Sequence, residues 1–182
     1  MTETNQAPAI ILCGGDINYT SLPIGTNVSN SMVPVNGKPV IAWILDDLIR
    51  KGVEEVVIVL QEKNKKLYNF TQWAYSKRVQ VKYAHVASGG SIINSLMGGL
   101  NALTSETSVH LVLGDTLIQD DFGGDEDFVY VGANDFTDNW CLVEYDDDGE
   151  IQSYHDKVKI KRPEVKILTG YYYLKDSKLL ER

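Results

Sequence analysis

Basic residues are missing from the start of this chain: between Met1 and Asn36 there is no lysine and no arginine. Over the whole chain 17 Lys and Arg face 25 Asp and Glu, a formal net charge of −8. That balance argues against nonspecific affinity for DNA, RNA or anionic lipid, whose contacts need clustered cations. Cysteine is scarce as well. Cys13 and Cys141 stand alone without a motif, which argues for a reducing compartment and against a disulfide framework. No apolar run approaches the ~20 residues that span a bilayer. The opening Met-Thr-Glu-Thr-Asn-Gln has neither the basic region nor the apolar core of a signal peptide. The expectation is a cytoplasmic protein with no membrane insertion and no nucleic-acid partner. His85 and His155 lack metal-ligand spacing, and no Ser or Cys nucleophile motif is present. Neither the dinucleotide fingerprint nor the P-loop pattern occurs.

What is present suits one domain of ordinary size. The chain has 182 residues, of which 43% are hydrophobic and 23% charged, enough to bury one sizeable core. Ala9–Cys13 is a short apolar strand that stops at Gly14-Gly15. Residues 39–51 carry Ile41, Ile44, Leu45, Leu48 and Ile49 at helical spacing, with Gly52 as the stop. Val56–Leu60 is a continuous apolar run, as in a strand covered on both faces. Residues 63–76 are expected to be helical, with Leu67, Phe70 and Tyr75 inward, and Val79, Val81 and Tyr83 alternate as in a strand.

Ser88-Gly89-Gly90-Ser91 reads as a turn with a helix cap, followed by a helix with Ile92, Ile93, Leu96, Leu100 and Leu103 inward. Val109–Leu113 is a strand ending in Gly114-Asp115. Phe128–Val131 and Trp140–Tyr145 look like further strands, and Asp146-Asp147-Asp148-Gly149 is a hairpin turn leading into Ile151–Tyr154. Val165–Leu174 is the last strand, with Tyr171–Tyr173 alternating between the core and a cleft wall; Asp176 would cap a helix after it. The acidic runs Asp120–Asp127 and Glu144–Glu150 read as solvated loops and turns. This rhythm predicts an α/β fold: three layers, Rossmann-like, with a mostly parallel central sheet, helices on both faces and a small antiparallel extension.

Ligands of open α/β sheets bind outside the carboxyl ends of the strands. Gly14-Gly15 and Gly114-Asp115 converge there. Glycine leaves backbone N–H groups open to a phosphate or a base. A carboxylate beside bound phosphates is well placed to hold Mg²⁺, although Asp115 could equally cap a turn. Ser88–Ser91 could meet a base or phosphate through its N–H groups, or simply connect strand to helix. Lys157 would be a surface lysine by default and a phosphate-facing cation by the functional reading.

Taken in order, Ala9–Gly15, Val33-Pro-Val-Asn-Gly-Lys-Pro-Val-Ile41, Val112-Leu-Gly-Asp115, His155-Asp-Lys157 and Thr169-Gly-Tyr-Tyr-Tyr173 resemble the signatures of the sugar-phosphate nucleotidylyltransferases across nearly the whole chain. The resemblance implies the nucleotide-diphospho-sugar transferase fold and a single nucleotidylyltransferase-like domain over residues 1–182. It implies a reaction in which the phosphate oxygen of a sugar 1-phosphate, or a similar phosphorylated acceptor, attacks the α-phosphorus of a nucleoside triphosphate and displaces pyrophosphate. In that reaction Asp115 would hold Mg²⁺ and Lys157 would face the acceptor phosphate. Leu12, Cys13, Gly14, Gly15, Ser88, Gly89, Gly90 and Gly114 would carry the nucleotide. By analogy the product would feed surface polysaccharide or capsule synthesis.

Three departures accompany the resemblance. Asp16-Ile17-Asn18-Tyr19 stands where the family loop continues into Gly-Thr-Arg, so the arginine facing the triphosphate is missing. Asn30 takes the place of the usual lysine before the second signature. The chain also ends soon after Leu174, before the second metal-binding Asp of the family. It therefore reads either as the N-terminal part of a longer protein or as a chain lacking that ligand. Lys38, Lys157, Lys161 or Arg162 would have to supply the charge. A catalytically degenerate domain with a sensing, regulatory or assembly role is the alternative. A glycosyltransferase of the related fold is disfavoured, because Asp115-Thr116-Leu117 lacks Asp-x-Asp. A homo-oligomer or a fused second domain is the further partner to be expected.

Overall fold

The first strand, β1 (Ala9–Leu12), is buried along its whole length, which its unbroken apolar sequence requires. The structure, a computed structural model, describes residues 7–15, 28–87, 91–103, 108–133, 137–160, 162 and 164–178. The segments Asp16–Tyr19 and Ser88–Gly90, and Lys161, lie outside the described residues. A short 3-10 turn (Asn30–Met32) leads to the two-residue strands β2 (Pro34–Val35) and β3 (Lys38–Pro39). Asn36 and Gly37 join them with φ of 48° and 88°, the paired left-handed geometry that Asn-Gly favours in tight hairpins. There follow α1 (Val40–Arg50), β4 (Glu55–Gln61), α2 (Lys65–Tyr75), β5 (Gln80–Val86), α3 (Ile92–Leu100) and β6 (Val109–Leu113). Strands β7 (Phe128–Gly132), β8 (Cys141–Tyr145), β9 (Ile151–Asp156) and β10 (Lys166–Leu174), with a 3-10 turn (Thr137–Asn139) between β7 and β8, complete the described elements.

The chain forms two compact units: Met1–Phe128 with Tyr172–Arg182, and Val129–Tyr171. In the first, β5, β4, β1 and β6 lie side by side in that order, all parallel. Ile10 is abreast of Val57 on one side and Leu111 on the other. One face of this sheet, with Ile10, Leu12, Val57, Val59, Ala84 and Leu111, packs under α3 through Leu96, Met97 and Leu100. Gly99 permits the approach, since a Cβ there would lie 2.5 Å from Ile10 Cγ2. Tyr83, next to Ala84 in β5, points to the opposite face, where Thr71 and Tyr68 of α2 meet its ring and hydroxyl. The Tyr75 hydroxyl donates to the Ala42 carbonyl and so ties α2 to α1 on that same face. Helices therefore cover both faces, as predicted. Each fully buried aliphatic side chain of β1 and β4 contributes roughly 1.5–3 kcal/mol to this core. Gly52, at φ 99°, ends α1 as expected.

In the second unit β8 pairs antiparallel with β9 and with β10, so the small antiparallel extension is present. The Asp146 carboxylate accepts from the N–H groups of Asp148 and Glu150 and shapes the β8–β9 turn. Leu142, Val165 and Ile167 form its core with Trp140 and Ile160 against them.

Several side chains differ from the sequence pattern. Ile92 and Ile93 are 60% and 65% exposed, and α3 stops at Leu100, short of Leu103. The first turn of α3 leaves them outside the core, and only the later turns lie on the sheet. Phe70 is half-buried, while Thr71 is fully buried because its hydroxyl donates to the Leu67 carbonyl. Tyr171 and Tyr173 are buried, and the half-buried Tyr172 packs against the α3 core cluster. Glu144 is no solvated turn residue: it sits in β8 and is held by Arg162 and His155. The other acidic run, Asp120–Asp127, is a largely exposed loop as expected, in which Asp121 and Glu126 also pair with Arg50 and Lys175. Asp176 does accept from the Lys178 N–H, as a cap would.

Candidate functional site

Adjacent parallel strands in register must end side by side. Leu12 of β1 is abreast of Leu113 of β6, so Cys13-Gly14-Gly15 and Gly114-Asp115 emerge together at the carboxyl edge of the sheet. The Cys13 N–H donates to the Val59 carbonyl at 2.8 Å, and the Gly114 N–H to the Leu12 carbonyl at 2.9 Å. These bonds extend the sheet by one residue before the chain turns away. Ser29–Ser31 and the first turns of α3 close the sides of a cavity of about 220 Å³. Six residues singled out from the sequence line it: Leu12, Cys13, Gly14, Gly15, Gly114 and Asp115.

The three glycines are there for different reasons. A Cβ on Gly114 would lie 2.5 Å from Cys13 Sγ and 2.6 Å from Ser31 Oγ, so packing alone demands glycine. A Cβ on Gly14 would lie 2.8 Å from Val86 Cγ2 and 3.2 Å from Ser95 Oγ, again a packing limit. Gly15 is not constrained in this way. Among the described residues nothing lies within 4 Å of its would-be Cβ, and its φ is outside the left-handed region. Neither the backbone nor any described neighbour requires glycine there, whereas a ligand lying against the chain would.

Gln61, the last residue of β4, was not among the residues singled out. It is 2% exposed, and its Nε2 donates to the Gly14 carbonyl at 2.6 Å, holding the glycine loop from behind. The signal was available: a polar residue closes the apolar run Val56–Leu60 at its carboxyl end. Cys13 is equally enclosed. Burial pushes its thiol up to about 12, against an opposing hydrogen bond with Ser31, and nearby Asp115 raises it further. Burial thus keeps the thiol neutral, which argues against a thiolate nucleophile.

Asp115 is exposed at the mouth of the cavity, and its Oδ2 accepts from Asn30 Nδ2 at 3.0 Å. Among the described residues no group of three or more His, Cys, Asp or Glu could enclose a metal. A single carboxylate oxygen, with hydroxyl and amide groups around it and no available thiolate, does fit a hard cation that completes its shell with phosphate and water. No lysine or arginine lines the cavity among the described residues. Lys38 is committed to Asp46 and lies over the Trp43 ring, and Arg162 is committed to Glu144. The cations considered as substitutes at those two positions are thus already paired.

Lys157 lies in the second unit, directly after β9. It is exposed and adopts φ 52°, a left-handed conformation uncommon for a lysine. Its N–H donates to the Trp140 carbonyl at 3.0 Å, which holds the bend. His155 contacts Glu144 at 3.1 Å on the neighbouring strand. Ser88, Gly89 and Gly90 lie outside the described residues; Ser91 caps α3, its hydroxyl accepting from the Asn94 N–H at 3.2 Å.

Known proteins share this architecture. The sequence profile of the nucleotidyl transferase family matches residues 8–182. The structure of a protein described as a glucose-1-phosphate thymidylyltransferase from Bacillus anthracis superposes with a TM-score of 0.80 at 19% identity, covering 96% of this chain and 74% of that one. HddC from Yersinia pseudotuberculosis, complexed with GMP-PN, gives 0.75 at 17% identity, covering 97% and 79%. UDP-glucose pyrophosphorylase from Acinetobacter baumannii gives 0.73 at 16%, covering 97% and 76%. These likenesses establish the nucleotide-diphospho-sugar transferase fold. With the profile match over nearly its whole length, the chain belongs to the nucleotidyl transferase family of enzymes.

Proposed function

We propose that this protein transfers a nucleoside monophosphate from a nucleoside triphosphate to a sugar 1-phosphate or similar phosphorylated acceptor, releasing pyrophosphate. The carrying observation is the cavity at the carboxyl edge of a parallel sheet, where Asp115 stands near Gly15, a glycine that no described neighbour constrains. Names of the superposing structures support the same reading, since they include a glucose-1-phosphate thymidylyltransferase and a UDP-glucose pyrophosphorylase. The two units serve as parts of one nucleotidylyltransferase domain, and the product feeds surface polysaccharide synthesis in the cytoplasm.

In this reading the Leu12–Gly15 backbone, Ser88–Gly90 and Gly114 carry the nucleotide, with Gln61 fixing the Gly14 carbonyl. Asp115 would hold Mg²⁺. The cation would neutralise phosphate charge that no arginine or lysine of the first thirty-six residues can meet. Lys157 faces the acceptor phosphate and orients its oxygen toward the α-phosphorus. A bond forms between that oxygen and the α-phosphorus, and the bond to the bridging oxygen of pyrophosphate breaks. Positioning and charge neutralisation are the protein's contribution, as in other phosphoryl transfers.

The absence of cations from the cavity lining among the described residues favours one second reading, a degenerate domain that senses or assembles. Pyrophosphate release decides between them. The wild-type protein is assayed with five nucleoside triphosphates and a panel of sugar 1-phosphates, with Mg²⁺ and with chelator. Mg²⁺-dependent release that Asp115→Ala abolishes supports the transferase. No release with any pair favours the degenerate domain.

A further inference from the structure

We infer that Asn30 is a positioning residue for Asp115: its side-chain amide holds one carboxylate oxygen and leaves the other directed to the cation. The inference rests on the transferase reading above. Asn30 begins the 3-10 turn Asn30–Met32, and that turn is fixed at several points. Ser31 is 1% exposed and packs against Gly114, with its hydroxyl bonded to Cys13. The Met32 N–H donates to the Ser29 carbonyl at 2.8 Å and the Val33 N–H to the Asn30 carbonyl at 3.0 Å. The Val40 N–H donates to the Val33 carbonyl at 3.0 Å, tying the turn to the start of α1. Asn30 is therefore presented from a turn anchored by the buried Ser31 and by backbone bonds to the start of α1.

Asp115 is different. It follows β6 in an exposed turn, where a carboxylate would be free to rotate among its rotamers. The Asn30 Nδ2 bond at 3.0 Å favours one orientation of the carboxylate. A neutral amide suits this task. An ammonium group on the same turn could pair with the carboxylate and compete with a cation for it, whereas an amide donates one hydrogen and leaves the charge in place. The replacement that removes a phosphate-facing cation thus supplies a carboxylate-orienting group. Partners of this kind around metal ligands typically change metal affinity 10–100-fold when lost.

The test is a thermodynamic cycle on the whole chain, read by water-proton relaxation of Mn²⁺ with an equimolar mixture of ATP, CTP, GTP, UTP and dTTP. Wild type, Asn30→Ala, Asp115→Ala and the double variant are compared, with far-UV dichroism to establish that each is folded. Asn30→Ala is expected to weaken Mn²⁺ binding about tenfold. It should have no further effect in the Asp115→Ala background, and excess metal should restore turnover to Asn30→Ala alone. Equal Mn²⁺ affinity in wild type and Asn30→Ala, or a loss that persists without Asp115, overturns the positioning role and leaves the transferase reading standing. Mn²⁺ binding that is absent from wild type, or indifferent to Asp115→Ala, overturns both.

Discussion

Replacing Lys157 by glycine separates what this residue does for the fold from what it does for the reaction. At φ 52° a lysine sits in left-handed backbone, at a cost of about 1–2 kcal/mol relative to its preferred conformations. Glycine relieves that cost. It also loosens the unfolded chain, which offsets about 0.4–1 kcal/mol of the gain. The hydrogen bond from residue 157 to the Trp140 carbonyl is made by the backbone and survives the change. Lys157→Gly should therefore be neutral or more stable, by up to about 1.5 kcal/mol, with a melting temperature unchanged or a few degrees higher. Activity should move the other way. A cation that faces a reacting phosphate contributes on the order of a hundredfold or more, about 2.7–4 kcal/mol of transition-state stabilisation. Lys157→Gly should lower kcat/KM for the acceptor by that factor and leave triphosphate binding nearly untouched. Lys157→Arg keeps the charge and the strained backbone, and should retain most of the activity. The assays are thermal unfolding and pyrophosphate release at varied acceptor concentration. Turnover within about threefold of wild type in Lys157→Gly would show that the lysine does not face the acceptor, because the clamp it removes is worth far more.

Gly15→Ala should leave stability within about 0.5 kcal/mol, since no atom of the described residues lies within 4 Å of the new Cβ, yet weaken triphosphate binding about tenfold in calorimetry. Gly14→Ala should instead destabilise by about 1–3 kcal/mol in urea unfolding, because its Cβ would meet Val86 Cγ2 at 2.8 Å. Gln61→Leu removes the donor on the Gly14 carbonyl and should cost about 1–3 kcal/mol, with a parallel loss of triphosphate affinity. At Asp46 partial burial raises the carboxyl pKa, but hydrogen bonds from Lys38, Arg78 and Tyr75 outweigh it and hold the group below 3.8. A depressed carboxylate contributes stability above its unfolded pKa and loses it as pH falls through the folded value. Asp46→Asn should therefore flatten the decline of stability below about pH 4 in urea titrations.

Much of the fold was legible because it rests on patterns with one physical solution. The unbroken apolar runs of β1 and of Val56–Leu60 in β4 can only be covered on both faces, and they are. The i, i+3, i+4 spacing of α1 marks its buried stripe, with Ile41, Ile44, Leu45 and Leu48 inside. Ile92 and Ile93 show where pattern fails: periodicity finds an apolar face but not how far the sheet extends beneath it. Thr71 shows the converse, a polar residue buried because its hydroxyl bonds to its own helix. At the site, glycine pairs and Asp115 could be read from their place after strands. Gln61 and the Asn30 contact could not, because each joins residues far apart in sequence, across 47 and 85 positions. Lys157 stood out by motif, and its left-handed backbone is visible only in three dimensions.

The central claim is a live nucleotide site built from Gly14, Gly15 and Asp115 with no cation among the described residues that line it. Calorimetric titration of ATP, CTP, GTP, UTP and dTTP, each with and without Mg²⁺, into wild type and Asp115→Ala tests it most directly. The account predicts that one triphosphate binds, only with Mg²⁺, and at least about tenfold more weakly once the Asp115 carboxylate is gone. Silence across the whole panel, or binding indifferent to both metal and Asp115, would contradict it.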